Sequence, residues 1–197
     1  IIPTLSISSL GAVGSVFLFT KKDLSDLGQS RIGVPFASAT SISLLRLLLI
    51  EEFALTPEVV YGKDPGPDHP EYDACLMIGD AALAADRWLK ESGREDIQCV
   101  DLGQWWRRLY DLPMVFGVWG ARKSYTQANK EDFQALCAFL GETWKVGLST
   151  RYPDVLNEAK RRTGLSEATL DEYFQRQLDF DFSPAHREGL SLFERLC

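Results

Sequence analysis

The chain has 197 residues, 45% hydrophobic and 25% charged, a composition suited to a globular protein of one or two domains with a real core. Its formal net charge of -7 argues against a general binder of nucleic acid or anionic membrane, and an anionic substrate would need local donors to override that field. The longest apolar stretch, Leu44 to Ile50, is interrupted by Arg46 and followed by Glu51 and Glu52, well short of the roughly 18 apolar residues of a membrane-spanning helix.

In chain order, Ile1 to Ser8 is apolar with small polar residues, and Ser9 to Ser15 is small and glycine-bearing. Val16 to Thr20 predicts a strand, Lys21 to Ser30 a loop with one short helical turn, and Arg31 to Val34 a strand stopped by Pro35. An apolar stretch to Phe53 follows, with Thr40 or Ser41 as the expected N-cap of a helix. Apolar residues nearly surround that helix, which predicts burial on more than one side. Glu51 and Glu52 stand at the wrong end of its dipole and are expected to be solvated.

Val59 to Tyr61 is the next expected strand, and Gly62 to Tyr72, with three prolines and two glycines, is a loop. Ala74 to Ile78 has the continuous apolar character of a buried parallel strand. Gly79-Asp80 breaks it, and a helix follows from Ala81 to Lys90. Ile97 to Val100 reads as a strand, Leu102 to Tyr110 as a helix, and Met114 to Trp119 as a strand after Pro113. From Lys130 the pattern is helical, with Phe133, Leu136, Cys137 and Leu140 at helical spacing. Further helices are expected over Asp154 to Thr163, stopped by Gly164, over Glu167 to Gln177 from Ser166, and from Ser183-Pro184 to the end. Strands alternating with helices predict an α/β fold with a mainly parallel sheet, and the helical tail predicts a change of layer.

Cys75, Cys99, Cys137 and Cys197 are widely spaced, without a CxxC pair or a nearby histidine cluster. That pattern predicts buried free thiols in a reducing compartment, with a zinc site or a catalytic thiol as the lesser alternative. His69 lies in a Pro/Asp-rich loop and His186 near a helix start, and surface roles are expected for both.

Three places put small or polar residues beside an apolar strand, where open α/β sheets bind ligands. Ser38 to Ser41 precedes the apolar helix and would offer hydroxyls and free N–H groups to an anion, with plain N-capping as the competing role. Gly79-Asp80 follows a strand, and Asp80 could cap the helix, bind a substrate hydroxyl or move a proton. Gly11 to Ser15 allows close backbone approach and offers the Ser15 hydroxyl, with a tight turn as the alternative. Trp105, Trp106, Phe116 and Trp119 could stack on a ring, though core packing is expected for at least three of them. No GxGxxG, Walker, HExxH or GxSxG motif is present, which removes support for nucleotide-dependent and standard hydrolase chemistry.

Several motifs in order resemble the MqnA family, the chorismate dehydratases of the futalosine route to menaquinone. Ile78-Gly79-Asp80-Ala81-Ala82-Leu83 resembles its IGDxAL signature. Asp101-Leu102-Gly103, Trp106 and Leu112 to Trp119 resemble its DLGxxW…LPFVFAVW segment. Ser15 to Thr20 is similar to its SVLLFS crossover strand, Thr40-Ser41 and Leu44-Leu45-Arg46 to its SRTS helix, and Leu178 to Phe182 to the pattern before its last helix. The family's arginine in SRTS is Ala39 here, which argues against a cationic clamp at that point.

The resemblance implies a type II periplasmic-binding-protein-like fold of two α/β lobes with a ligand cleft. It divides the chain into a first-lobe remnant and crossover over residues 1–19, a second lobe over 20–113, and a return strand with first-lobe helices over 114–197. The family's N-terminal segment, with a YLN-type motif whose asparagine lines the site, is expected to precede Ile1, so that the first lobe would be incomplete and the chain alone inactive. The implied reaction takes water from chorismate without a cofactor, driven by aromatisation, in the cytoplasm. Asp80 and Ser15 are the implied catalytic residues, and Ser38, Thr40, Ser41 and Gly79 the implied substrate-binding residues. The resemblance implies no nucleic-acid or membrane partner and leaves the oligomeric state open. Two alternatives stand beside it. One is the sister 6-hydroxynaphthoate synthase on the same fold, disfavoured by the motif spacing and the lack of a cleft histidine. The other is a non-catalytic solute-binding protein, which the cysteine spacing weakly opposes.

Overall fold

The structure is a computed structural model that describes residues 1–62 and 65–197. Residues 63 and 64, inside the expected proline-rich loop, lie outside the described residues. The chain is mixed α/β with two sheets.

The larger sheet is built from β2 (Val16–Thr20), β3 (Arg31–Pro35), β4 (Glu58–Gly62), β5 (Ala74–Ile78) and β6 (Gln98–Asp101), in the order β4-β3-β5-β2-β6. β3 runs parallel to β4 and β5, whereas β2 runs antiparallel to both β5 and β6. Four strands therefore point one way and β2 lies reversed among them. Two of its four strand pairings are parallel and two antiparallel, so the mainly parallel sheet expected from the alternation holds only in part, because reversed β2 pairs on both sides. Both its faces are covered. Helices α1 (Ala39–Phe53) and α3 (Leu102–Tyr110) share one core with Leu18, Ile32, Val34 and Leu76. On the other face, α2 (Gly79–Ser92) closes a smaller core of Phe17, Phe19, Ala82, Ala85 and Ile97.

The smaller sheet is antiparallel, with β1 (Leu5–Ser9) between β7 (Met114–Val118) and β8 (Asp179–Asp181). Neither β1 nor β8 stands out in the apolar pattern. Both alternate serine or aspartate with apolar residues, and buried Ser6 and Ser8 are satisfied by each other and by the carbonyls of Asp181 and Asp179. Polar satisfaction replaces apolar burial on that face. The core under α1 also takes in Met114 of β7 and packs against Leu192, Phe193 and Leu196 of α8 (Pro184–Leu196), so one apolar volume joins the two sheets.

The C-terminal helices are α4 (Lys123–Ala128), α5 (Lys130–Gly147), α6 (Tyr152–Thr163), α7 (Glu167–Glu172) and α8. Gly164 ends α6 in the left-handed conformation and Ser166 caps α7, both as the sequence predicts. The expected helix through Gln177 changes after Glu172 into a π turn, Tyr173–Gln177.

The apolar residues of α5 recur at helical spacing as expected; Phe133, Cys137 and Leu140 are half-buried and Trp144 packs against Phe180 of β8, though none of the helix is fully buried. Two expectations need correction. Glu52 is not solvated: it accepts hydrogen bonds from Trp105 Nε1 and the Arg108 guanidinium, and the Arg108 bond holds its carboxyl below the usual range. His186 is not a surface residue but 3% exposed. Its Nδ1 meets Ser183 Oγ at 2.8 Å and the Ser183 N–H at 3.3 Å, closing a capping box at the start of α8, and its Nε2 stands 3.3 Å from Asp179.

Candidate functional site

The parallel strands of the larger sheet all end at one edge, and reversed β2 begins there. Val16 pairs with Ile78 and Phe17 with Asp101, so Ser15 lies beside Gly79, and Asp101 sits two residues along on the other side of β2. Ile32 pairs with Ala74 and Gly33 with Cys75, which brings Pro35 and the turn after it to the same edge. All six residues expected at the site therefore leave from three neighbouring strands, β3, β5 and β2. Two strand spacings span about 10 Å, the scale of one small ring with its substituents. Neither histidine is on this edge: His69 is in the loop entering β5, and His186 caps α8.

Ser38 is the N-cap of α1, in place of the expected Thr40 or Ser41. It is held in the left-handed conformation at φ 64°, and its Oγ accepts from the Ser41 N–H at 3.3 Å. Starting the helix at Ala39 places Thr40 and Ser41 in its first turn. The Ser38 and Ser41 hydroxyls bond each other at 2.7 Å. Its own carbonyl takes the Ile42 N–H. The N–H groups of Ala39 and Thr40 lie ahead of these, at the positive end of a 15-residue helix. Buried Ser41 and half-buried Thr40 face different surroundings.

Gly79 has φ 60°, a conformation that favours glycine, and this lets β5 turn directly into α2. Its N–H donates to the Ser15 carbonyl at 2.8 Å, tying the second candidate segment to the third. The expected helix start at Ala81 moves to Gly79, so Asp80 lies inside the first turn and is exposed. Ile78 is the cap residue, and capping is therefore not the role of Asp80. Its carboxylate stands close enough to Tyr173 to influence that phenol.

Ser15 is 5% exposed, and its Oγ lies 3.0 Å from Tyr173 Oη. Burial pushes the Tyr173 phenol up, the Ser15 hydroxyl pulls it down, and the field of Asp80 pushes it up again. The loop before Ser15 is shaped by Asp101, whose carboxylate accepts from the N–H groups of Val13, Gly14 and Gln104 at 2.8 to 3.0 Å. One side chain thus caps α3 and fixes the turn that presents Ser15. Burial raises the Asp101 carboxyl above the usual aspartate range, while those N–H bonds oppose the shift. A Cβ on Gly103 would stand 2.7 Å from both the Gly11 carbonyl and Ser9 Oγ, so the DLG segment needs its glycine for this close approach. A cavity of about 500 Å³ opens beside Gly14 and Asp101, walled also by Phe17, Lys90 and Gln177.

Asp101 and Tyr173 are the two residues for which the sequence suggested no role. Asp101 had a signal, an aspartate three residues before Gln104 at a strand-to-helix step. Tyr173 had none, since nothing local relates it to a serine 158 positions earlier. Of the four aromatics considered for stacking, Trp105 and Trp106 are buried, Phe116 is half-buried against the same core, and Trp119 is partly exposed. All four cysteines are free thiols as expected, but only Cys75 is buried: Cys99 and Cys137 are half-buried, and Cys197, at the end of α8, is exposed. Burial raises the thiols of Cys75 and Cys99 to about 11 and about 12, far from a reactive thiolate. Among the described residues no helix is long and apolar enough to cross a membrane, and no three His, Cys, Asp or Glu side chains gather as a metal-binding group.

A family described as menaquinone biosynthesis matches residues 1–197. A Thermus thermophilus protein named chorismate dehydratase is 31% identical over 211 residues, which cover 98% of this chain and 71% of that protein. A crystal structure of an Archaeoglobus fulgidus protein superposes with a TM-score of 0.53 at 16% identity, covering 98% of this chain and 69% of that one.

Proposed function

The chain belongs to the menaquinone biosynthesis family, and on that premise we propose that it is a chorismate dehydratase of the futalosine route, giving 3-(1-carboxyvinyloxy)benzoate and water. One observation carries the reading to the residues. Ser15, Ser38, Thr40, Ser41, Gly79 and Asp80 meet at one edge of the larger sheet, beyond the carboxyl ends of its parallel strands.

The reaction needs two substrate carboxylates held, the ring hydroxyl positioned as leaving group, and a proton taken from the neighbouring ether-bearing carbon. Aromatisation supplies the driving force, so the protein contributes orientation and exclusion of water. One carboxylate docks at the N-terminus of α1, on the N–H groups of Ala39 and Thr40 and the Thr40 hydroxyl. Ser38 and Ser41, bonded to each other, shape that turn. Asp80 and Ser15, from adjacent strands, flank the reacting carbons. With Ala39 at the family's arginine position, the charge of that carboxylate is met by backbone dipole rather than a guanidinium.

We read the two sheets as two lobes of a type II periplasmic-binding-protein-like fold. The chain leaves the smaller sheet after β1, builds the larger one through residue 113 with β2 as the crossover, and returns at β7. The site edge, on the second lobe, then faces the first, and α7 with its π turn supplies the opposing wall. Four free thiols favour a reducing compartment, the cytoplasm.

The test is to incubate chorismate with this chain and with the chain extended by the family's N-terminal segment, and to follow loss of the ring-diene absorbance and appearance of the aromatic product. A solute-binding protein would return chorismate unchanged, and that outcome would refute the reading. Asp80→Asn with undiminished turnover would remove Asp80 from proton transfer and leave that task to the substrate's own enolpyruvyl carboxylate.

A further inference from the structure

Tyr173 belongs to none of the segments from which the candidate site is built, yet it reaches into it. It opens the π turn Tyr173–Gln177, directly after α7. Such turns are rare, and they rotate a side chain out of the regular helical row, which is one reason they recur at functional sites. The two ends of this turn meet two adjacent residues. Tyr173 Oη lies 3.0 Å from Ser15 Oγ. The Gln177 amide stands where a side chain on Gly14 would be, 1.7 Å from an ideal Cβ, and Gly14 is held at φ 69°.

A buried serine hydroxyl has one proton to give and lone pairs to receive with. Its direction depends on its partner. The phenol of Tyr173 is kept protonated by burial and by the neighbouring Asp80 carboxylate. Either hydroxyl can donate in this pair; with Tyr173 as donor and Ser15 Oγ as acceptor, the Ser15 proton is left for a third atom. We infer that Tyr173 is a positioning residue for the dehydration: its phenol fixes the Ser15 hydroxyl as a donor aimed at the oxygen that leaves the substrate. The inference rests on the function proposed above. As the carbon–oxygen bond breaks, that oxygen gains negative charge, so a donor already aimed at it binds the transition state more strongly than the ground state. A serine free to rotate would have to be oriented during the reaction.

The test is a double-mutant cycle on the full chain, reading kcat and KM for chorismate in wild type, Tyr173→Phe, Ser15→Ala and the double variant. Phenylalanine keeps the ring and its packing against Phe174. Tyr173→Phe is expected to lower kcat about tenfold with KM changed less than about twofold, and to change kcat less than about twofold once Ser15 is alanine. Equal losses in both backgrounds, no loss in either, or a loss carried by KM would overturn the inference while leaving the dehydratase reading intact. A wild-type protein that leaves chorismate unchanged would overturn both.

Discussion

Helices α1 and α5 look alike in sequence and behave as opposites in the fold. Each carries large apolar residues along most of its length. Seven of the fifteen residues of α1 are buried, while none of the eighteen of α5 is. The difference lies in the partners. α1 shares its core with the larger sheet and packs against α3 and β7, so apolar residues on several of its sides find cover. α5 packs mainly against α4 and α6, with Trp144 beside Phe180 of β8, and Leu136 and Phe139 remain 39% and 66% exposed. Apolar periodicity states that a helix has a face to cover. It does not state what covers it, and the stabilisation comes from the cover.

The widest separation between these regions should appear in stability. Leu48→Ala, in α1, removes a fully buried side chain and is expected to cost about 2–5 kcal/mol by urea unfolding. Leu136→Ala, in α5, should cost less than about 1 kcal/mol. Equal losses would mean that the two helices are covered alike. Gly189→Ala probes the junction that ties α8 to the rest. An added Cβ would lie 2.2 Å from the Pro113 carbonyl, and backbone cannot yield as a flexible side chain can. A loss of about 1–3 kcal/mol is expected, read as a lowered urea midpoint at unchanged slope.

Much of the larger sheet was legible because its strands and helices signal locally. Val16 to Thr20, Ala74 to Ile78 and Leu102 to Tyr110 have the bounds the sequence predicts, the last two ending where Gly79 and Asp111 turn left-handed. The smaller sheet was not legible. β1 and β8 hold serines and aspartates, and their pairing satisfies buried hydroxyls across more than 170 residues of chain. The candidate site divides in the same way. Its three segments were visible as small residues beside strands. The exchange of the cap from Thr40 or Ser41 to Ser38 was not, because a left-handed non-glycine residue is fixed by its surroundings rather than by its own preference.

Asp101 offers a sharper test of how tightly the site side is built. Asp101→Ala would strand the N–H groups of Val13, Gly14 and Gln104, at an expected cost of about 1–3 kcal/mol. Its titration has a definite sign. Because burial raises the folded pKa, the folded state holds the proton more tightly than the unfolded chain does. The contribution from this titration is fully present below the unfolded value of about 3.9 and is lost as pH rises through the folded value. The stability difference between wild type and Asp101→Ala should therefore shrink as pH rises above about 4. A difference that grows over that range would mean the N–H bonds outweigh burial. Ser38→Ala, at the neighbouring turn, should cost about 1 kcal/mol through the lost cap. Ser38→Gly should cost only a few tenths, since glycine recovers at φ 64° part of what the missing hydroxyl gives up.

The smallest effect is expected on the helix that opened the comparison. Phe139 projects from α5 with two thirds of its surface in solvent, so its ring gains little from the folded state. Phe139→Ser should shift stability by no more than about 0.5 kcal/mol in urea. The same substitution at Phe19, fully buried between α2 and the larger sheet, would remove a core ring and leave a hydroxyl without a partner. A loss at Phe139 approaching that of a core phenylalanine would show that the α5 face is covered in solution, and its apolar spacing would then mean what the same spacing means in α1.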